Sequence, residues 1–313
     1  MIKNLLDEII SRGDRGAVVP VSRIDDLKRD MYDLQNGDYH TGFMDWMAGS
    51  ADRFIPSGLD FEPKSVISIV KPDSKFILRF DYRGKTVECI VPPLYINEDV
   101  KFREALQYIN DYLNPLGFKA AGAGGIPNKL LAVHCGLGLY GRNNLFYSHD
   151  FGSYAQLLSF VSDMPCDEDE TESLWVPAGR MEACENCFAC VTSCPTNAID
   201  PNQRIINADI CLTAMNEMNG EFPDWLDKNA HHAVIGCLKC QDCCPANARN
   251  IDHIKDGLTF TEDETMELLN HLNHKNDEPY SDLLISKINA AGLSGWGFWP
   301  QALPRNLAVL LDQ

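Results

Sequence analysis

The sequence lacks any uninterrupted apolar run of about 18 residues, the length a membrane-spanning helix requires. It has no low-complexity tracts, and nothing repeats apart from its cysteine spacings. Basic residues are scarce: 27 Lys and Arg stand against 45 Asp and Glu, a formal charge of −18. The longest basic stretches are isolated pairs such as Lys28-Arg29, so the basic footprint of a nucleic-acid binder is missing. The opening residues, MIKNLLDEIISRGDRG, read as an amphipathic helix carrying Asp7 and Glu8, without the apolar centre of a secretory leader. The expectation is a soluble, cytoplasmic protein with no membrane contact and with nucleic acid disfavoured as a partner. What the chain does have is cysteine, twelve in all.

Eight of the twelve fall into two sets. The first is Cys184-x2-Cys187-x2-Cys190-x3-Cys194-Pro195; the second is Cys237-x2-Cys240-x3-Cys244-Pro245, with Cys211 upstream as its missing member. A [4Fe–4S] cube needs four thiolates at tetrahedral corners, and in two-cluster ferredoxins the cysteine before proline crosses to the other cluster. That rule gives one cluster on Cys184, Cys187, Cys190 and Cys244, and another on Cys194, Cys211, Cys237 and Cys240. Cys243 is surplus; an alternative register would use it instead, but the three-residue gap and Pro245 favour Cys244. Structural zinc, which prefers two separated CxxC-like pairs, fits the dense three-cysteine run poorly. Disulfides would need an oxidising compartment. Two loaded clusters would bring the net charge to about −22. Exposed clusters suggest an anaerobe, and the acidic surface suits docking to a basic redox partner.

Residues 1–165 read as an α/β domain. Lys64–Val70 is short and β-branched, as a buried strand should be. Phe76–Tyr82 and Thr86–Val91 flank the turn-like pair Arg83-Gly84, and Glu98–Leu113 has helical spacing. A glycine-rich passage, Ala120–Gly125, precedes a short helix through Ala132, and Tyr154–Val161 is strand-like. Residues 166–250, opening with the acidic linker Cys166–Glu172, would form a double-cluster ferredoxin-like module. Residues 251–313 would be a helical extension, introduced by the capping box Thr261-x-x-Glu264 and continuing near 282–291 and 302–311.

Between core and clusters lies Cys135-Gly-Leu-Gly-Leu-Tyr-Gly-Arg-Asn-Asn-Leu145. Its glycines satisfy GxGxxG, yet the segment follows a helix and runs towards a strand, the reverse of a dinucleotide site. Close backbone approach, to a flat cofactor or to neighbouring backbone, is what such glycines supply. Cys135 reads as a small buried hydrophobe. The order GLGLYGRNNLFYSHDFGSYAQL, acidic linker, CxxCxxCxxxCPTNAI, lone cysteine, GCxxCxxxCP resembles the epoxyqueuosine reductase family, from about Lys64 to Asn250, with an echo at Arg305-Asn306. Reductive dehalogenases are more distant relatives.

The resemblance implies a nitroreductase-like α/β cobalamin-binding domain with the two-cluster module inserted and a helical C-terminus. It implies electrons passing from cluster to cluster to cobalamin, with Gly138, Tyr140, Gly141, Arg142 and Asn143 near the corrin. Tyr147, His134 and His149 are then the candidate proton donors. The chain also departs from the family. Gly122-Ala-Gly-Gly125 stands where the family carries its acid-bearing motif, a Tyr/Asp-Tyr-His-like stretch is absent after Ile69, and the expectation from a sequence of 313 residues is that the helical-repeat tail for tRNA of longer family members is lacking. The leading expectation is therefore a cobalamin-dependent iron–sulfur reductase of another, small-molecule substrate, fed by a ferredoxin- or flavodoxin-type donor. One alternative is an electron-transfer protein serving a partner enzyme or corrinoid protein; another is a diverged tRNA epoxyqueuosine reductase.

Overall fold

The computed structural model describes residues 1–37, 41–42, 53–167, 174–273 and 279–312. In chain order its main elements are α1 (Ile2–Ser11), β1 (Arg15–Pro20), α2 (Arg23–Gln35), β2 (Ser65–Pro72), β3 (Lys75–Tyr82), β4 (Lys85–Val91), α3 (Glu98–Leu113), β5 (Ala120–Gly122), α4 (Asn128–His134), β6 (Gly138–Tyr140), β7 (Phe146–Ser148) and β8 (Ala155–Ser162). Next come α5 (Ala189–Ser193), α6 (Leu212–Glu217), α7 (Lys239–Asp242), β9 (Ile254–Phe260), α8 (Glu262–Asn273), α9 (Asp282–Ala290) and α10 (Trp299–Leu311). The strand at Lys64, the hairpin around Arg83-Gly84, the helix from Glu98 and the strand after Tyr154 thus form where local pattern placed them. The acidic linker beyond Asp167 lies outside the described residues. No described helix is long and apolar enough to cross a membrane.

The chain divides into two compact units that cut across the three linear segments. One comprises Met1–Pro72, Val100–Cys187 and Pro201–Ile205. Its sheet, ordered β1-β2-β8-β5, is antiparallel throughout. Strand side chains alternate between faces, and here both faces are covered. Val18, Ile67, Ile69 and Phe160 pack with α1 and α3, whereas Ala17, Val19, Val66 and Val161 pack with α2 and α4. This double burial is why β2 reads as a continuous apolar run rather than an alternating one.

The other unit comprises Asp73–Asp99, Phe188–Asp200 and Ile206–Gln313. Its sheet, β4-β3-β9, pairs β3 antiparallel with β4 and parallel with β9. Phe80 and Phe260 stack at 4.7 Å across β3 and β9, over a core that includes Leu268, Ile288, Leu303 and Leu307 of the three C-terminal helices. The region after residue 250 is therefore helices laid on a strand, not helices alone. The predicted capping box is present: Thr261 N–H donates to Glu264 Oε2 at 2.7 Å, and Glu264 N–H donates to Thr261 Oγ1 at 3.3 Å.

Candidate iron–sulfur centre and the glycine-rich hairpin

Within the second unit the sheet carries one of the cysteine loops. Val234 N–H donates to Ile90 O on the β4 edge at 3.0 Å, and Ala233 bridges Ile90, so residues 233–234 continue the sheet just before Cys237. Gly236 has φ +63°, and a side chain there would strike the Tyr95 ring. Both facts demand glycine at the bend that turns the chain into the loop. Lys75 closes on Asp242 at 3.2 Å, and the short helices α5 and α7, each beginning inside a cysteine run, pack together.

This scaffold makes Cys194, Cys211 and Cys237 electrostatic neighbours. Burial pushes the Cys237 thiol up to about 12; the Cys211 and Cys194 sulfurs push the same way, and the Lys239 N–H opposes them. Burial likewise raises Cys211, against hydrogen bonds from the Thr213 and Ala214 N–H groups and the Thr213 side chain. Cys194 Sγ accepts the Ala198 N–H at 3.3 Å. Each of the three sulfurs is thus met by backbone N–H from the residues that follow it, an arrangement that stabilises thiolate and tunes cluster potential. Among the described residues no three His, Cys, Asp or Glu side chains close to the spacing of a single-ion site. Three neighbouring sulfurs, each met by backbone N–H, are a donor set that suits an iron–sulfur cluster. The Cys243 thiol turns to Cys240 O at 3.7 Å.

His232 braces this loop. Leu238 N–H donates to its Nε2 at 3.1 Å, leaving Nδ1 to carry the proton towards Ala230 O at 3.2 Å. Burial lowers its pKa, in keeping with that neutral ring. No local signal identifies such a residue.

In the first unit the glycine-rich segment forms a hairpin of β6 and β7. A Cβ on Gly138 would lie 2.2 Å from Tyr147 O, and one on Gly141 would lie 2.5 Å from Asn143 Oδ1 and from the Tyr147 ring. These two glycines thus serve close approach within the hairpin itself. Asn143 is buried, and its Nδ2 donates to Tyr147 Oη at 2.9 Å. Tyr140 N–H donates to Gly179 O at 3.0 Å, and Met181 N–H to Tyr140 O at 2.9 Å, so the other edge of β6 is occupied too.

Arg142 is 7% exposed, and its guanidinium is directed at backbone carbonyls. Nε donates to Cys187 O at 3.0 Å, Nη1 to Pro201 O at 2.9 Å, and Nη2 to Glu185 O at 3.2 Å and to Cys184 O. It braces the first cysteine loop, a use the spacing did not reveal.

The three proton-donor candidates sit in different settings. Tyr147 is buried in the hairpin. His134 ends α4 with Nδ1 2.6 Å from Val176 O and Nε2 2.6 Å from Asp30 Oδ2, its ring stacked on Trp175 at 4.6 Å. His149 is exposed on the turn after β7. Cys135 is buried, and burial pushes its thiol up to about 12, as suits an inert packing residue.

Gly122 closes β5, and a Cβ there would lie 2.4 Å from Phe102 Cζ, on a ring that packs against Phe160 at 5.1 Å. An acid at this position would have to displace the Phe102 ring. Gly122→Asp is expected to destabilise the protein by about 1–3 kcal/mol through overpacking. A thermal melt as stable as that of the native protein would show that Phe102 yields.

Residues 183–247 match the family described as 4Fe-4S double cluster binding domain. The epoxyqueuosine reductase of Bacillus subtilis (strain 168) is 27% identical over 158 residues, 49% of this chain and 38% of that protein, so the chain spans well under half the length of that relative. That of Leadbetterella byssophila is 25% identical over 290 residues, 88% of this chain and 87% of the relative. Among the solved structures it resembles, two illustrate a likeness over 99% of the chain. A selenomethionine-labelled epoxyqueuosine reductase has TM-score 0.67 and 18% identity over 80% of its own chain. An epoxyqueuosine reductase with an epoxyqueuosine-modified tRNA-Tyr stem loop has TM-score 0.63 and 19% identity over 82% of its chain. At such identities the structural likeness establishes the fold. In sequence and in fold the chain is similar to epoxyqueuosine reductases, and its residues 183–247 match a 4Fe-4S double cluster binding domain.

Proposed function

We propose that the protein is a reductase in which two [4Fe–4S] clusters deliver single electrons to a cobalamin. The observation that carries the electron path is the grouping of Cys194, Cys211 and Cys237, each sulfur met by backbone N–H. Cys240 completes that set. Cys184, Cys187, Cys190 and Cys244 hold the other cluster, on the strength of their spacing and of the Cys243 thiol facing a carbonyl.

Cobalamin, when bound, would supply a strongly reducing metal centre. The segment 138–143 suits its neighbourhood as a rigid backing. It is hydrogen-bonded on both edges and tied by Arg142 to the first cysteine loop. Gly138, Gly141, Arg142 and Asn143 hold that backing, with Tyr140 carried on β6. Tyr147, in the same hairpin and oriented by Asn143, is the proton donor we favour.

Anaerobic reconstitution followed by cobalamin titration tests this reading. Equimolar binding, seen in the visible spectrum, is expected. A spectrum unchanged by added cobalamin would leave an electron carrier for a partner protein.

For the substrate, tRNA deserves more weight than composition gave it, because the whole chain shares its fold with a relative solved on a modified tRNA stem loop. Removing an epoxide oxygen as water consumes two electrons and two protons, which single-electron carriers in series can supply. Against this, Phe102 fills the place beside Gly122. Turnover of an epoxyqueuosine stem loop would assign that substrate; binding of cobalamin without turnover would assign a different one.

A further inference from the structure

Cys211 stands alone in its stretch, 26 residues before Cys237, and no tight loop joins the two. Something else must hold their segments in register. Asn306 on α10 is fully buried. Its Nδ2 donates to Asn216 O at 2.8 Å and to Val234 O at 2.9 Å. Its Oδ1 accepts from Arg305 Nη2 at 2.9 Å and Nε at 3.2 Å. Asn216, also fully buried, donates from Nδ2 to Gly236 O at 2.9 Å.

Asn216 lies on α6, the helix that starts directly after Cys211; Val234 and Gly236 lead directly into Cys237. One buried amide therefore ties the Cys211 segment to the Cys237 segment, and a second repeats the tie from the other side. The carbonyls at the end of α6 would otherwise lack intrahelical partners. They are met from the same C-terminal stretch: Arg305 Nη2 donates to Met215 O at 2.6 Å and Trp296 Nε1 to Glu217 O at 3.0 Å, while Arg305 Nη1 donates to Gly220 O just beyond the helix. The guanidinium also lies 4.0 Å over the Phe222 ring. Burial lowers Arg305 only to about 10, so it stays cationic at neutral pH, the favourable sign at a helix C-terminus.

We propose that Asn306 and Arg305 are positioning residues for the second cluster, preorganising Cys211 and Cys237 before iron arrives. This rests on reading those two cysteines as ligands of one cluster. A neutral amide and a cation suit the task because neither adds negative charge beside sulfurs that already repel one another as thiolates.

The test is anaerobic reconstitution of the full chain carrying Asn306→Ala, Asn306→Asp or Arg305→Gln, with Cys211→Ala alongside. Iron and sulfide are counted, and the reduced samples are examined by electron paramagnetic resonance. Both Asn306 variants should lose the second cluster selectively, a twofold drop in iron, while the signal of the first cluster persists. Arg305→Gln, at a half-buried position, should fold and take up the second cluster more slowly than the native chain.

Two intact clusters with native uptake rates in all three variants would overturn the proposal. So would equal loss of both clusters, the mark of a general folding role. If Cys211→Ala keeps both clusters, the ligand assignment fails and the proposal with it. If Cys211→Ala loses one cluster and the Asn306 and Arg305 variants lose none, only the positioning role fails.

Discussion

Replacing Cys211 with alanine is expected to halve the iron bound by the reconstituted protein, from about eight to about four per chain. Two neighbouring sulfurs make the effect large. Cys194 and Cys237 sit beside Cys211, and burial drives the Cys237 thiol up to about 12. Such a thiol surrenders its proton only when metal repays the cost. With one corner of the cube missing, nothing repays that cost at Cys237, and the cluster should not assemble. Cys243→Ala should leave the iron count unchanged, because that thiol already faces Cys240 O, whereas Cys244→Ala should lose iron. Iron lost from Cys243→Ala and kept in Cys244→Ala would mean the register is off by one.

Arg142→Ala should be the most damaging substitution outside the cysteines. The guanidinium meets the carbonyls of Cys184, Glu185, Cys187 and Pro201 from a buried position. A hydrogen bond from a charged donor contributes about 1.5–3 kcal/mol. Losing four that act together should cost about 3 kcal/mol or more and release the loop that carries Cys184 and Cys187. Lysine should not rescue it, since a point charge on a flexible stem cannot span four acceptors as a planar fork does. Denaturant midpoints of the iron-free protein and iron counts after reconstitution measure both effects. A midpoint and iron count equal to those of the native protein would show that the loop holds itself.

Where pattern is local, the sequence is legible. The β-branched run Lys64–Val70, which forms the strand Ser65–Pro72, the Arg83-Gly84 turn and the Thr261/Glu264 box each encode their structure within a few residues. β9 lies in the stretch read as a helical extension, where Lys255-Asp256-Gly257 gives no apolar alternation to mark a strand. It is a strand because Gly257 lets its backbone approach Leu78 and Ile77, where the register of β3 shifts. Antiparallel order in the first sheet, and the return of residues 73–99 to pack with the C-terminal helices, depend on partners far away in sequence.

The centre divides along the same line. Cysteine spacing is short-range and points to the ligands, whereas Arg142, His232, Asn216 and Asn306 act through backbone carbonyls and amides, which any sequence could offer. The glycines of the hairpin were ambiguous for a related reason. Close approach leaves the same mark whether the neighbour is a cofactor or, as at Gly138 and Gly141, the hairpin's own chain.

The central claim is that electrons pass through two clusters in this chain. It is met most directly by counting iron and acid-labile sulfide in the anaerobically reconstituted native protein and recording its reduced paramagnetic spectrum. The structure predicts about eight of each per chain and a spectrum broadened by two interacting centres. About four irons with a single isolated signal, or zinc in place of iron, would contradict it.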